Sequence, residues 1–466
     1  VLKRIPFGAY LPDQPPGAQL TVADNVYPYA SEYRPVGGFD VLTPALAGIT
    51  GGAAFLSLSG TTSFLSGTAL ALYRYSGASW SKLIDATGGR WRFAQFGNNA
   101  IAVNGGAPVS YDLAGGTAAA LAGNPPAASL VATVRDYVVL AGQPDAQQTV
   151  TWSGRNRSDI WPGTAPAPAD SFGSDAQLLP DGGRVMGLVG GEYGIVWQKN
   201  AVKRMDFQGG DVVFAFNEIA GNIGCMAEGS IAASGRLSWA LSEQGFVECD
   251  GAGVKPIGDE QVDATFFARF SRRDIVQGIY AAVDPRRPIV MWAMPGKPGM
   301  ILLFNYQARR WATITTDVRL VFSGFTANVP LDAIGNVDVG IGSLDSPRYA
   351  GGNPLLLVAR TDGTIGTLTG DPMEATLTTA RLDLNGGRAR IRTIKPDTDA
   401  SDVMVTVEGR RRGSSVPVSR ASSDLRPSGF VPLRANAAQF VVETRLRGAW
   451  AYAAGFGVEY ENGGVR

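Results

Sequence analysis

Any chemistry in this chain has to be done without histidine. None of its 466 residues is His, which removes the commonest general base, the commonest metal ligand and the side chain that titrates near neutral pH. Ser/His/Asp and Cys/His catalysis are therefore excluded. Oxygen ligands at Asp397, Asp399, Ser401 and Glu408 have the spacing of a calcium loop. The position that should be glycine is Asp402, however, and Val403, Met404, Val405, Thr406 and Val407 read as a strand, which cannot fold back round an ion. We read this segment as a polar turn before a strand. The densest basic run is Arg410, Arg411 and Arg412. Guanidinium groups present planar forks of donors that suit phosphate, so the run is a possible phosphate contact. It equally fits an exposed turn or an interface between subunits.

Sugar-cleaving propellers carry a turn with Ser, Asp, Gly and Trp at fixed offsets. The turn Ser76-Gly77-Ala78-Ser79-Trp80 comes close but lacks the Asp, and no spacing marks the arginine cluster, paired carboxylates and activated Tyr those enzymes need. No glycine-rich phosphate loop followed by Lys and Ser/Thr occurs. No catalytic residue, metal site or cofactor is expected, and the chain reads as a non-enzyme.

The elements that must position these residues are strands. Gly (60) and Pro (28) fall at short intervals, which favours many short strands joined by turns. Two distant stretches share one pattern of Leu, aromatic, polar, Tyr, four turn residues and Trp. One contains Tyr73, Tyr75 and Trp80, the other Phe304, Tyr306 and Trp311. Alternate side chains of a strand share a face, so each stretch reads as a hairpin returning through the Trp strand, the mark of a propeller blade. Blade-like sets follow at 53–83, 91–121, 129–152, 184–216, 230–257 and 275–314, with 319–326 plus 355–369 as a seventh or incomplete set. The fold expected is all-β, a β-propeller of six or seven blades with an extended N-terminal arm and a C-terminal antiparallel β-domain. The boundaries are 1–48 for the arm, 49–370 for the propeller with loop insertions near 155–175 and 327–353, and 371–466 for the C-terminal domain. One helix is expected from Asp259 to Phe270, capped by Asp259, linking two blades.

The 41 basic residues balance the 41 acidic ones, so no global field drives tight nucleic-acid binding. From Ala375 onward about fourteen basic residues face about nine acidic ones, a local excess of about +5 that sets the C-terminal part off as a domain. Cys225 and Cys249 alone cannot make a disulfide framework, although one bridge between them is open, and a reducing compartment is expected. No apolar run reaches the roughly 18 residues of a membrane span or the length of a signal peptide, so use in aqueous surroundings without secretion is expected.

Asn25-Val26-Tyr27-Pro28 with Tyr33-Arg34-Pro35 and Gly37-Gly38-Phe39 resembles the opening of the tail nozzle proteins of short-tailed bacteriophages, also called packaged-DNA stabilisation or tail tubular B-type proteins. The resemblance continues through Trp152-Ser153, Asp159-Ile160-Trp161, Gly187-Leu188-Val189 with Tyr193 to Trp197, Gly245-Phe246 with Pro256-Ile257-Gly258, Phe304-Asn305-Tyr306 with Arg310-Trp311, and Gly455-Phe456 to the Gly-Arg ending. It implies a homo-hexameric structural ring in the virion tail, assembled in the host cytoplasm. The ring would extend the portal–adaptor channel, retain the packaged genome and conduct it during ejection. Implied partners are the adaptor or head-completion protein, tail fibre, tailspike or needle proteins, and transient, non-specific contact with genomic DNA. Asn25, Tyr27, Pro28, Tyr33, Arg34 and Pro35 would form an assembly arm that orders on docking. Net neutrality fits a conduit, because each neutralised phosphate adds friction. The alternative is a glycan-binding or glycan-cleaving propeller acting as a receptor-recognition protein; a third reading is a cellular scaffold that binds a protein through its central face.

Overall fold

The computed structural model describes residues 2–17, 19–163, 171–210, 212–325 and 352–463. Seven four-stranded antiparallel units follow one another along the chain, and their first strands stand side by side round an axis. These first strands are Ile49–Leu56, Arg92–Phe96, Leu130–Val134, Val185–Val189, Ala232–Ser234, Tyr280–Asp284 and Leu320–Phe325. The protein is therefore a seven-bladed β-propeller carrying a C-terminal antiparallel β-domain, and every blade-like set found in the sequence contributes a blade.

Blades form because short runs of β-branched and aromatic residues alternate or bury both faces, and packing blade against blade removes those faces from water. Val139, Val150 and Trp152 of blade 3 share a core with Val185, Val196, Met205 and Phe214 of blade 4. Blade 5 joins blade 4 through Trp197, Ala240 and Val247. Each fully buried side chain of this size contributes about 1.5–3 kcal/mol of transfer free energy.

Blade 7 is completed from the other end of the chain. Its first three strands, Leu320–Phe325, Pro354–Ala359 and Ile365–Thr367, come from the C-terminal side of the propeller, and its fourth is Asp40–Thr43. The ring is thus closed by a strand that precedes blade 1, so no blade edge is left open at the join.

Blade 6 has a second role. Its outer strand, Arg310–Val318, meets Leu20–Asp24 in parallel, and the sheet continues through Ala375–Thr379, Gln439–Arg447, Asp402–Arg410 and Pro417–Asp424. A second sheet, Val26–Tyr29, Glu32–Pro35, Ala453–Asn462, Ala389–Thr398 and Val431–Ala437, with Leu2–Pro6 beside Ala453–Asn462, covers that extension. The two faces make a sandwich. In Gln439–Arg447 every second residue is buried, which is the period-two pattern of a strand with one face in the core. Phe440, Val442 and Leu446 join Ile391, Val405, Phe456 and Val458 in a core that runs without a break into Trp292 and Trp311 of blade 6.

The N-terminal segment is extended, as expected, and its extension is spent on this same chain. Its strands enter both sandwich sheets and blade 7; Leu20, Ala23, Val26, Tyr33 and Val36 are wholly buried. Pairing in cis satisfies the backbone groups that a free arm would leave to water.

The helix expected over 259–270 begins later, as α1 (Asp263–Arg269). Asp259 does not cap it. The first N–H groups are taken instead by Asp13, which accepts from Ala264 N at 2.7 Å and Thr265 N at 2.8 Å. A second helix, α2 (Arg272–Gly278), starts at Ser271, whose hydroxyl accepts from Asp274 N. The two helices lie between blades 5 and 6 in the chain. Of the loop expected near 155–175, residues 164–170 lie outside the described residues, while 155–163 and 171–174 form no strand and Asp175–Leu178 is already the outer strand of blade 3; the loop expected near 327–353 lies outside the described residues as far as 351.

Candidate functional site

The repeat that exposed the blades in the sequence occupies equivalent hairpins with different registers. Both copies join the third strand of a blade to the fourth. In blade 6 Phe304 lies opposite Trp311, both buried, with centroids 4.5 Å apart. In blade 1 Trp80 lies opposite Tyr75 at a half-buried rim. There its Nε1 donates to Pro44 O at 2.9 Å, while the Tyr75 hydroxyl donates to Gly77 O at 2.6 Å. Tyr73 and Tyr306 are also partly buried. The slide of the turn by one residue accounts for the difference: it puts Trp311 in the core and Trp80 at the edge.

Most buried acids and thiols are engaged in the structure itself. Cys225 and Cys249 are buried and unbridged, and burial pushes the Cys225 thiol up to about 11. Burial alone would raise Glu248. Hydrogen bonds from Lys255 and Trp239 and the charge of Arg309 instead hold it below its usual value, with distances of 2.8, 2.9 and 2.8 Å. Asp263 goes the other way. Desolvation, against a hydrogen bond from Phe246 N and with Asp13 and Asp259 nearby, raises it to about 7. It lies against Gly245 and Gly258, at sites where a Cβ would collide with its carboxyl.

The resemblance-bearing residues of the N-terminal segment meet one another and blade 6 at a single seam. Asn25, with φ of 60°, accepts from Thr315 N at 3.0 Å and donates through Nδ2 to Glu374 O at 2.9 Å. Asn305 Nδ2 donates to Pro28 O at 3.0 Å. Arg310, buried, donates to Ala30 O at 2.7 Å and Gly8 O at 2.8 Å, and its guanidinium lies 4.5 Å from the Tyr33 ring centre. The Tyr33 hydroxyl donates to Gly8 O. Tyr27 packs under Arg287 and Arg34 over Tyr29; Pro35 pairs with Val26. Phe7 meets Phe456 at 5.7 Å. Three separated stretches of sequence thus form one joint between propeller and sandwich.

The triple-arginine run is divided. Arg410 ends a strand and pairs with Glu408 at 2.9 Å, Arg412 pairs with Asp383 at 2.8 Å, and Arg411 projects into solvent. Asp399, from the calcium-like spacing, accepts from the backbone N–H groups of Ala451 and Tyr452. The strand Asp402–Arg410 runs on from that turn.

Two of the concavities among the described residues bear on function. The propeller axis holds a space of about 320 Å³ walled by small and apolar residues such as Gly52, Ala53, Val131, Leu188, Ile231 and Phe322. Arg92 and Glu228, 3.1 Å apart, sit on its wall. A larger groove, about 670 Å³, lies on the flank of the C-terminal sandwich and is lined by Arg390, Arg392, Arg426 and Arg434. The sequence hid this second site, because its arginines come from three separate segments. The only advance signal was the positive excess after Ala375 and the alternation that puts Arg390 and Arg392 on one exposed face of Ala389–Thr398.

No helix among the described residues is long and apolar enough to cross a membrane. No family model matches the chain, and no curated protein matches it. Among solved structures it is similar to BamB from Moraxella catarrhalis, with 11% identity over 78% of this chain and 98% of that one and a TM-score of 0.35. It is also similar to the Pan2 WD40 domain of Neurospora crassa, with 9% identity over 63% and 90% and a TM-score of 0.37, and to the RRP9 WD40 repeats, with 9% over 70% and 99% and a TM-score of 0.37. The propeller assignment rests on the sheet topology described above: this chain is a seven-bladed β-propeller whose sixth blade is continuous with a β-sandwich.

Proposed function

We propose that the protein is a structural component of a phage tail, a nozzle subunit that forms a homo-hexameric ring on the portal-bound adaptor and helps retain and conduct the genome. The observation that carries this reading is the convergence of three of the resemblance-bearing stretches. Asn25 to Pro35, Asn305 to Trp311 and Gly455-Phe456 are scattered over the sequence, yet they build one joint that locks the propeller to the sandwich. A joint of this kind suits a part that transmits load and does no chemistry.

Physical limits shape the proposal. A duplex whose major groove alone is about 12 Å wide does not fit adjoining axial spaces of about 320 and 390 Å³ lined with side chains. The bore of such a ring therefore lies between copies. A chain with balanced charge lets DNA slide, since every neutralised phosphate strengthens binding.

The test is mass and symmetry. Native mass spectrometry and particle imaging of the protein, alone and mixed with portal and adaptor rings, should give a six-copy ring, either free or on the adaptor. A monomer that ignores those rings overturns the proposal and redirects attention to glycan and peptide ligands.

A further inference from the structure

The strongest unexplained feature is the flank groove of the sandwich. One wall is the strand Pro417–Asp424, the edge of the nine-stranded sheet; another is Val431–Ala437, the edge of the covering sheet. Arg390 and Arg392 project from Ala389–Thr398, Arg434 from the second edge, and Arg426 from the turn that joins the two edge strands. Ser422 and Ser423 supply hydroxyls, and no carboxylate lines the groove. Arg392 is neutralised by Glu461. Arg390, Arg426 and Arg434 are exposed and make no ion pair among the described residues, whereas Arg410 and Arg412 of the conspicuous run are both paired.

We infer that this groove binds the phosphodiester backbone of nucleic acid without regard to sequence. The inference deepens the conduit reading and rests on it for the kind of polyanion. Three unpaired guanidinium groups in the C-terminal part, where basic residues outnumber acidic ones, are a local anion site in a chain of zero net charge. All four cations are arginine, whose fork matches phosphate oxygens two at a time. The two walls are strands at the ends of their sheets; edge strands carry backbone N–H groups without a strand partner, and such neutral donors commonly serve phosphates. Flat base edges find no aromatic platform among the lining residues, so contact stays on the backbone. An acidic protein segment is the competing occupant.

Three phosphates per copy set the expected strength. The affinity should fall in the non-specific range, on the order of 10⁻⁴ to 10⁻⁶ M at physiological salt. The log–log salt slope for three phosphates is about −2.7, or roughly fortyfold weaker binding at about 200 mM salt than at about 50 mM. A grip this weak in each copy permits sliding, and several copies round a bore multiply it.

The test is fluorescence anisotropy of a labelled duplex of arbitrary sequence with the full chain at the two salt concentrations. The triple variant Arg390→Ser, Arg426→Ser and Arg434→Ser should bind at least tenfold more weakly with a slope near zero. The matched triple change to Lys should keep the slope, and all three proteins should share one unfolding midpoint. Wild-type affinity and slope in the Ser variant overturn the assignment. So does polyglutamate binding that equals or exceeds duplex binding, which would indicate an acidic protein partner. Ring formation is read separately: loss of DNA binding by the wild type with a six-copy ring intact overturns the groove alone, and a monomer whose duplex binding depends on these arginines overturns the nozzle alone.

Discussion

Replacing Arg310 with Met should loosen the N-terminal segment from the body of the protein. The side chain is 9% exposed and has no carboxylate partner among the described residues. It spends its charge on the carbonyls of Ala30 and Gly8, at 2.7 and 2.8 Å, and on the Tyr33 ring. Hydrogen bonds from a charged donor are worth about 1.5–3 kcal/mol each, so the two together amount to about 3–6 kcal/mol. Met removes the desolvation cost of a buried cation, which returns part of that sum. A net loss of about 3 kcal/mol remains, against an unfolding slope in urea of about 3 kcal/mol per molar or more for a large chain. The midpoint should fall by up to about 1 M. Tryptophan fluorescence reports it directly, since Trp311 follows Arg310 in the chain. Limited proteolysis should then cut first within residues 1–48. Arg310→Lys keeps the charge without the planar fork and should fall between the two. An unchanged midpoint with the N-terminal segment still resistant to protease refutes the idea that this residue pins the joint.

Two further outcomes follow from the same region. Asp13→Ala removes the acceptor for the first N–H groups of α1 and should cost about 1 kcal/mol; faster hydrogen exchange at Ala264 and Thr265 than elsewhere in the helix checks it, and uniform exchange contradicts it. Asp263 has a folded pKa near 7 against an ordinary value of 3.8, so its contribution is fully present below about pH 4 and is lost as pH rises through 7. At about 1.4 kcal/mol per unit the loss is at most about 4 kcal/mol, reduced by whatever water reaches the carboxyl. Asp263→Asn keeps an acceptor for Phe246 N and should flatten urea midpoints measured between pH 4 and 8; parallel pH profiles for the two proteins rule this out.

The blades were legible because each carries several short apolar runs broken by turn residues, and local alternation is all that a strand needs to declare itself. The closure of blade 7 was not. Asp40–Thr43 is four residues long, too short to show a period, and its partner Ile365–Thr367 lies more than three hundred residues away. The N-terminal segment looked like a loose arm because its prolines and aromatics follow no period. In the fold they are spread over two sandwich sheets and a blade, and each sheet imposes its own register. The start of α1 was misplaced for a related reason: its capping carboxylate, Asp13, is supplied by a distant segment. In the sequence, three adjacent arginines outshone four scattered ones. Only pairing geometry separates them, since Glu408 and Asp383 neutralise two of the first set while three of the second stay unpaired.

A symmetry-resolved reconstruction of the protein assembled on portal and adaptor rings tests the proposed nozzle role most directly. Six copies round a bore that lies between subunits are expected, with the axis of each propeller closed by its own side chains. A single copy, or a ring whose DNA path runs through a propeller axis, would contradict it.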